Sequence, residues 1–145
     1  MKILMLIVSL LLSMNLCAED LHLHGNIVLT VGNFHNDKGI ARIALFSSSD
    51  SFPDLPEKAI QALDAEIRDG RLKASFVDVP YGVYAVSVLH DENRNGKMDT
   101  NWVGIPKEGY GASNDAKPSF GPPEFDDARF SLDAEDLQLH IKVRY

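Results

Sequence analysis

Apolar and polar residues alternate along most of the chain beyond residue 20. Leu21, Leu23, Ile27, Leu29 and Val31 interleave with His22, His24, Asn26 and Thr30. A period of two predicts a strand with one buried face. Ile40 to Ser47 repeats it, with Ala41, Ile43 and Leu45 on one side and Arg42 on the other. His35-Asn36-Asp37-Lys38-Gly39 between them has turn composition. Ser47 to Pro56 reads as loop, and Glu57 to Leu63 as one or two helical turns. Glu66 to Arg68 and Arg71 to Val77 flank Asp69-Gly70, a two-residue hairpin signal that puts Leu72, Ala74 and Phe76 on one side. Gly82 to His90 is apolar on both faces, as a central strand is. Phe130 and Leu132 mark a further strand. Leu137, Leu139, Ile141, Val143 and Tyr145 then alternate with Gln138, His140, Lys142 and Arg144. About seven half-apolar strands with turns between them predict an all-β, antiparallel two-sheet sandwich.

The segment from Asp91 to Asp127 breaks this rhythm. Loops beyond about 12–15 residues are uncommon in compact domains unless they are functional or disordered. This one carries Trp102, Tyr110, Phe120 and Phe125, so it is expected to be ordered and packed on the sandwich. Trp102, Tyr110 and Phe120 also suit stacking on a sugar or peptide.

Its first residues are Asp91-Glu92-Asn93-Arg94-Asn95-Gly96-Lys97-Met98-Asp99. Oxygen-bearing side chains stand at positions 1, 3, 5 and 9 and glycine at 6, the front half of a calcium loop. Alternate residues in a tight loop turn their oxygens inward, which a hard cation requires. The predicted Ca2+ ligands are Asp91, Asn93, Asn95, the backbone carbonyl of Lys97, and Asp99. Position 12 is Trp102 where a bidentate glutamate belongs, so the missing carboxylate must come from Glu108, Asp126 or Asp127. Such a set is expected to bind weakly, with a dissociation constant of about 10⁻⁴–10⁻³ M. The competing reading is that Asn95-Gly96 is simply a hairpin turn.

Composition adds a compartment. Met1-Lys2, the apolar run Ile3 to Leu12, and Leu16-Cys17-Ala18 form an export signal cleaved after Ala18. Residues 19–145 would then be a single domain, periplasmic or secreted, with the long loop at 91–127. A lipoprotein retaining Cys17 is the alternative, disfavoured by Leu16 before the cysteine. Cys17 is the only cysteine, so the mature chain forms no disulfide. Net charge is −7, and losing Lys2 makes it more negative. That charge argues against nucleic acid and anionic membranes as partners. No run is long enough for a transmembrane helix.

Other chemistry is sparser. His22 and His24 share a strand face and, with His140 or His90, would suit zinc or copper. His90 has the parity of the inward Val86 and Val88 and reads as a structural histidine. Ser113, His90 and Asp91 lack a nucleophile elbow. Glu108 and Asp126 are the pair a small hydrolase would use. The reading preferred over that alternative is non-enzymatic, a ligand-binding or structural module of the cell envelope.

Phe76-Val77-Asp78-Val79-Pro80-Tyr81-Gly82-Val83-Tyr84 resembles the strand–turn–strand signature of transthyretin-like and collagen-adhesin B-type sandwiches. Pro80-Tyr81-Gly82-Val83-Tyr84-Ala85-Val86, His90 to Asp99, Gly104 to Asn114 and Gly121 to Phe130, in that order, resemble the bacterial exported family called domain of unknown function 2141. Ala112 departs from the aromatic expected there. The resemblance implies an exported sandwich of transthyretin-like or immunoglobulin-like type, and it transfers no catalytic residue.

Overall fold

A computed structural model describes residues 23–145. The expected signal at 1–18, with Cys17, lies outside the described residues, as do Leu21 and His22. The strands are β1 (His24–Gly32), β2 (Ile40–Phe46), β3 (Gln61–Ala65), β4 (Arg71–Pro80), β5 (Gly82–Asp91), β6 (Tyr110–Ala112), β7 (Phe130–Leu132) and β8 (Asp136–Lys142). One short helix, α1 (Phe125–Ala128), precedes β7. One sheet has the order β4-β1-β8; the other runs β3-β2-β5-β6, with β7 also paired to β5. The fold is an all-β sandwich.

The buried faces are those the alternation marks. Ile27, Leu29 and Val31 of β1 meet Ala41, Ile43 and Leu45 of β2 and Val86 and Val88 of β5 in the core between the sheets. On β4, Leu72 and Phe76 point inward, and so does Val79. The change of parity comes from a bulge: register with β1 shifts between Gly25 and Ile27, and Asp78 takes a positive φ of 55°. The extra residue brings Val79 inward, while Val77 keeps the outward parity that Leu72 and Phe76 set. Burying an apolar side chain is worth about 1.5–3 kcal/mol, which fixes the register of each strand.

Several expectations need correction. The segment 57–63 is not helical beyond a 3-10 turn at Pro56–Lys58; from Gln61 it is β3. Asp69-Gly70 does form a tight turn, both residues at positive φ and Arg68 paired with Arg71. The arms then part, β3 joining β2 and β4 joining β1 in the opposite sheet. The last strand pairs with the first in parallel, Ile27 opposite Leu137 and Val31 opposite Ile141. The long loop also contains a strand, β6, hydrogen-bonded to β5.

Part of that loop covers the outer face of the β2–β5 pair. Ala44, Phe46 and Ala85 pack there against Phe52, Ala112, Ala116 and Ala128, with Phe125 alongside. Ala112 is buried in this layer, so an aromatic ring has no space at that position. Ser113, fully buried, pins the layer: its hydroxyl donates to the Ala128 carbonyl and accepts from the Val86 N–H. Ser113→Ala is expected to destabilise the protein by about 2 kcal/mol, because it strands a buried donor and acceptor. A lowered urea midpoint at unchanged slope is the measurement that checks this.

Candidate functional site

β5 ends at Asp91, and the chain then turns back on itself until β6. Asp91 is fully buried. One carboxylate oxygen accepts from Arg42 Nε at 2.7 Å and the Gly96 N–H at 2.8 Å; the other accepts from the Asn95 N–H at 3.0 Å. Burial pushes its pKa up, but the Arg42 hydrogen bond and the two amides outweigh burial and hold the carboxyl below its ordinary range. Its partner Arg42 lies on the neighbouring strand and also meets Asp64 at 3.5 Å. Arg42 is the residue that sequence reasoning missed. Its only signal was a charge alternating with the apolar face of β2.

The remaining donors converge on Asp99. Asn93 Nδ2 donates to one oxygen of Asp99 at 2.6 Å and Asn95 Nδ2 to the other at 2.8 Å. The Asn93 and Asn95 side-chain oxygens accept from the Asn95 and Lys97 amides. Glu108 is buried at 5% exposure, and its carboxylate bridges the Glu92 and Asp99 N–H groups at 3.0 Å each. The structure therefore gathers Asp91, Asn93, Asn95, Lys97, Asp99 and Glu108 into one loop. Asp126 and Asp127 lie elsewhere, on α1, beside a cleft of about 610 Å³ lined by Phe52, Pro53, Phe120 and Phe125.

As a cation cage this loop is only partly prepared. The carboxylates already accept from backbone amides and Arg42, and the Asn93 and Asn95 nitrogens face Asp99. Among the described residues no group of three or more His, Cys, Asp or Glu is placed to hold a metal ion. His24 meets Asp78 at 2.7 Å, while His140 stands farther along the sheet, in register with Thr30 of β1. His90 is buried, Nε2 on the Lys38 carbonyl at 2.8 Å and Nδ1 on the Tyr145 hydroxyl at 2.6 Å. Neither ring nitrogen is directed at Ser113, whose hydroxyl is itself buried and engaged.

On this foundation stands a hairpin. Lys107 N–H donates to the Asp99 carbonyl, Thr100 bridges Pro106, and Asn101 N–H donates to the Ile105 carbonyl. Gly104 closes the turn at φ 86°, its N–H on the Asn101 carbonyl. A three-residue loop ending in a left-handed glycine is a common hairpin solution. The Asn101 side-chain oxygen also accepts from the Val103 and Ile105 amides, so the tip is held internally. What it presents is apolar: Trp102 is 95% exposed, Val103 55% and Ile105 58%. The expectation that the loop aromatics pack on the sandwich fails for Trp102 and for Phe120, which is also fully exposed. Phe125 does pack, edge-on to Phe52.

Residues 29–140 match the family model described as "Uncharacterized protein conserved in bacteria (DUF2141)". The chain belongs to this family. The match spans β1 to β8 and includes both the Asp91–Asp99 loop and the hairpin. No curated protein and no solved structure matches the chain. Among the described residues of this DUF2141 member, no helix is long and apolar enough to cross a membrane.

Proposed function

We propose that this DUF2141 protein is an exported, non-enzymatic β-sandwich of the periplasm or cell surface that binds an envelope component through the hairpin bearing Trp102. One observation carries the reading: a tryptophan at 95% exposure on a turn held by backbone hydrogen bonds and by the Asn101 side chain. Leaving a large apolar side chain in water forgoes about 1.5–3 kcal/mol. Clustered exposed apolar groups mark interaction sites more often than lone ones do. The signal-like start of the chain supports the location.

The test uses the only tryptophan as its reporter. Acrylamide is expected to quench Trp102 readily in the purified protein, and washed bacterial envelope fragments are expected to protect it. Fragments that leave quenching unchanged would refute the reading.

A second reading, a weakly held Ca2+, draws on the Asn93–Asp99–Asn95 arrangement. Rotating the two amides exchanges nitrogen for oxygen around Asp99, and a divalent cation would stabilise that oxygen cluster. Asp91, Glu108 and the Lys97 carbonyl would complete the set; Arg42 beside Asp91 opposes a second positive charge. Millimolar Ca2+ is then expected to raise the melting midpoint by about 2–4 °C, and Asp99→Asn to abolish the rise. Identical midpoints in Ca2+ and in chelator would remove the ion from the account.

A further inference from the structure

We infer that the free edge of β8 pairs with the β8 edge of a second copy of this chain, antiparallel about a twofold axis at Gln138. This surface is separate from the hairpin and does not rest on the binding role proposed above. Asn26 N–H donates to the Glu135 carbonyl and Val143 N–H to the Gly32 carbonyl, so the odd-numbered residues of β8 turn their backbone toward β1. The even-numbered residues turn theirs away from it. Lys142 N–H is satisfied on that side by Asp115 Oδ1 at 2.9 Å. Among the described residues, the outward N–H and C=O groups of Asp136, Gln138 and His140 have no hydrogen-bond partner.

Such an edge is a template for another strand unless it is blunted. The remaining edges are blunted or short. β4 carries the bulge at Asp78, ends in Pro80, and has its Val77 carbonyl taken by Gln61 Nε2 at 3.0 Å. β3 has 5 residues, and β6 and β7 have 3 each. β8 runs for 7 residues with no proline, glycine or bulge. Its Leu137 and Leu139 are only half-buried, while their β1 neighbours Ile27 and Leu29 are fully buried. The cover they lack is on the edge side.

Self-complementarity selects a second copy as the occupant. Pairing all the free residues antiparallel sets Gln138 against its own twin and Asp136 against the second copy's His140. Each of these pairs can exchange both backbone hydrogen bonds. Leu137 then faces Leu139 on the core side, where non-bonded pairs stand closer, about 4.5 Å between Cα atoms. Charge follows the same polarity. Asp133, Glu135 and Asp136 lie at the start of the strand. His140, Lys142 and Arg144 lie at its end, with Asp115 the acid hydrogen-bonded beside them. An antiparallel partner lays the acidic start of one copy on the basic end of the other; a parallel one would lay like on like. A twofold contact uses the same edge on both chains, so the pairing closes at a dimer.

Sedimentation equilibrium of the purified protein tests this, from about 10 µM to about 1 mM in about 0.15 M salt, which screens the repulsion of the net −7 charge. A strand this short buries little area, so the expected result is a weak dimer, the average mass rising from one chain toward two with concentration. Gln138→Pro should abolish association, because proline has no N–H to give at the axis and its loss costs β8 no bond to β1. His140→Glu should weaken association about tenfold, by setting a carboxylate against Asp136 in both symmetric pairs. Adding Asp136→Lys to that variant should restore it, which a merely structural defect would not allow. Trp102→Ala should leave association unchanged. The mass of one chain at every concentration would overturn the inference. So would a dimer that survives both edge variants, or one that Trp102→Ala dissolves. An unchanged circular dichroism spectrum confirms that each variant folds; if Gln138→Pro does not, His140→Glu and its reversal decide alone.

Discussion

Asp91→Ala is expected to destabilise the protein by about 3 kcal/mol and to loosen the segment that carries the hairpin. Removing one partner of a buried ion pair typically costs about 3–5 kcal/mol, because the other charge is left without its counterpart. Here Arg42 is 38% exposed and regains some water, which places the loss at the lower end. The Gly96 and Asn95 N–H groups add their own unmet hydrogen bonds. Against a typical margin of 5–15 kcal/mol this is a large fraction. The effect should also depend on pH. The native carboxyl sits below its ordinary value of 3.8, so the folded state holds that proton less tightly than the unfolded chain does. Its contribution is complete above that value and is lost as pH falls through the lowered native one. Urea unfolding of wild type and Asp91→Ala should therefore differ widely at about pH 7 and converge well below about pH 4. A gap that stays constant down to strong acid would show that the carboxylate charge is not what holds the loop.

Gly39→Ala is expected to cost at least about 3 kcal/mol, for two separable reasons. Gly39 has φ 68°, a region that a residue with a Cβ enters only with strain. An added Cβ would also overlap the Asp91 backbone carbonyl and the backbone of Glu92, atoms that cannot rotate away. The Gly39 carbonyl accepts from Arg94 Nη2 at 2.9 Å, so a shifted turn carries the Asp91–Asp99 loop with it. Gly104→Ala isolates the first cause. Gly104 has φ 86° with nothing within 4 Å of its would-be Cβ, so that variant should lose only about 1 kcal/mol. Melting of the two variants side by side separates steric overlap from backbone strain. Equal losses would mean that the turn at Gly39 has room to move away from β5.

The two substitutions act at the same joint. β5 delivers Asp91, the 35–39 turn presses against it, and Arg42 reaches across from β2. The joint then fixes where the chain leaves the sandwich. From that point the Asp99–Lys107 pairing and the Asn101 side chain build the hairpin without help from the core. An apolar tip can stay in water only if its backbone has no freedom to fold it back onto the sandwich. The rigidity of this base is thus part of what keeps Trp102 outside.

By itself the amino-acid sequence determined the strands β1, β2, β5 and β8 and the inward parity of His90. It also determined the turn at Asp69-Gly70. These follow from relations between residues close in the chain, where a period of two or a positive-φ pair has one low-energy meaning. Tertiary structure decided which sheet each strand joins. β3 and β4 flank a hairpin turn yet separate, and β8 pairs with β1 in parallel, because burying both apolar faces at once outweighs keeping neighbours together. It also supplied Arg42 to Asp91, 49 residues away, a pairing with no local trace. The exposure of Trp102 is of the same kind. A tryptophan's composition states what it would gain by burial, but only the assembled surface determines whether anything is there to cover it.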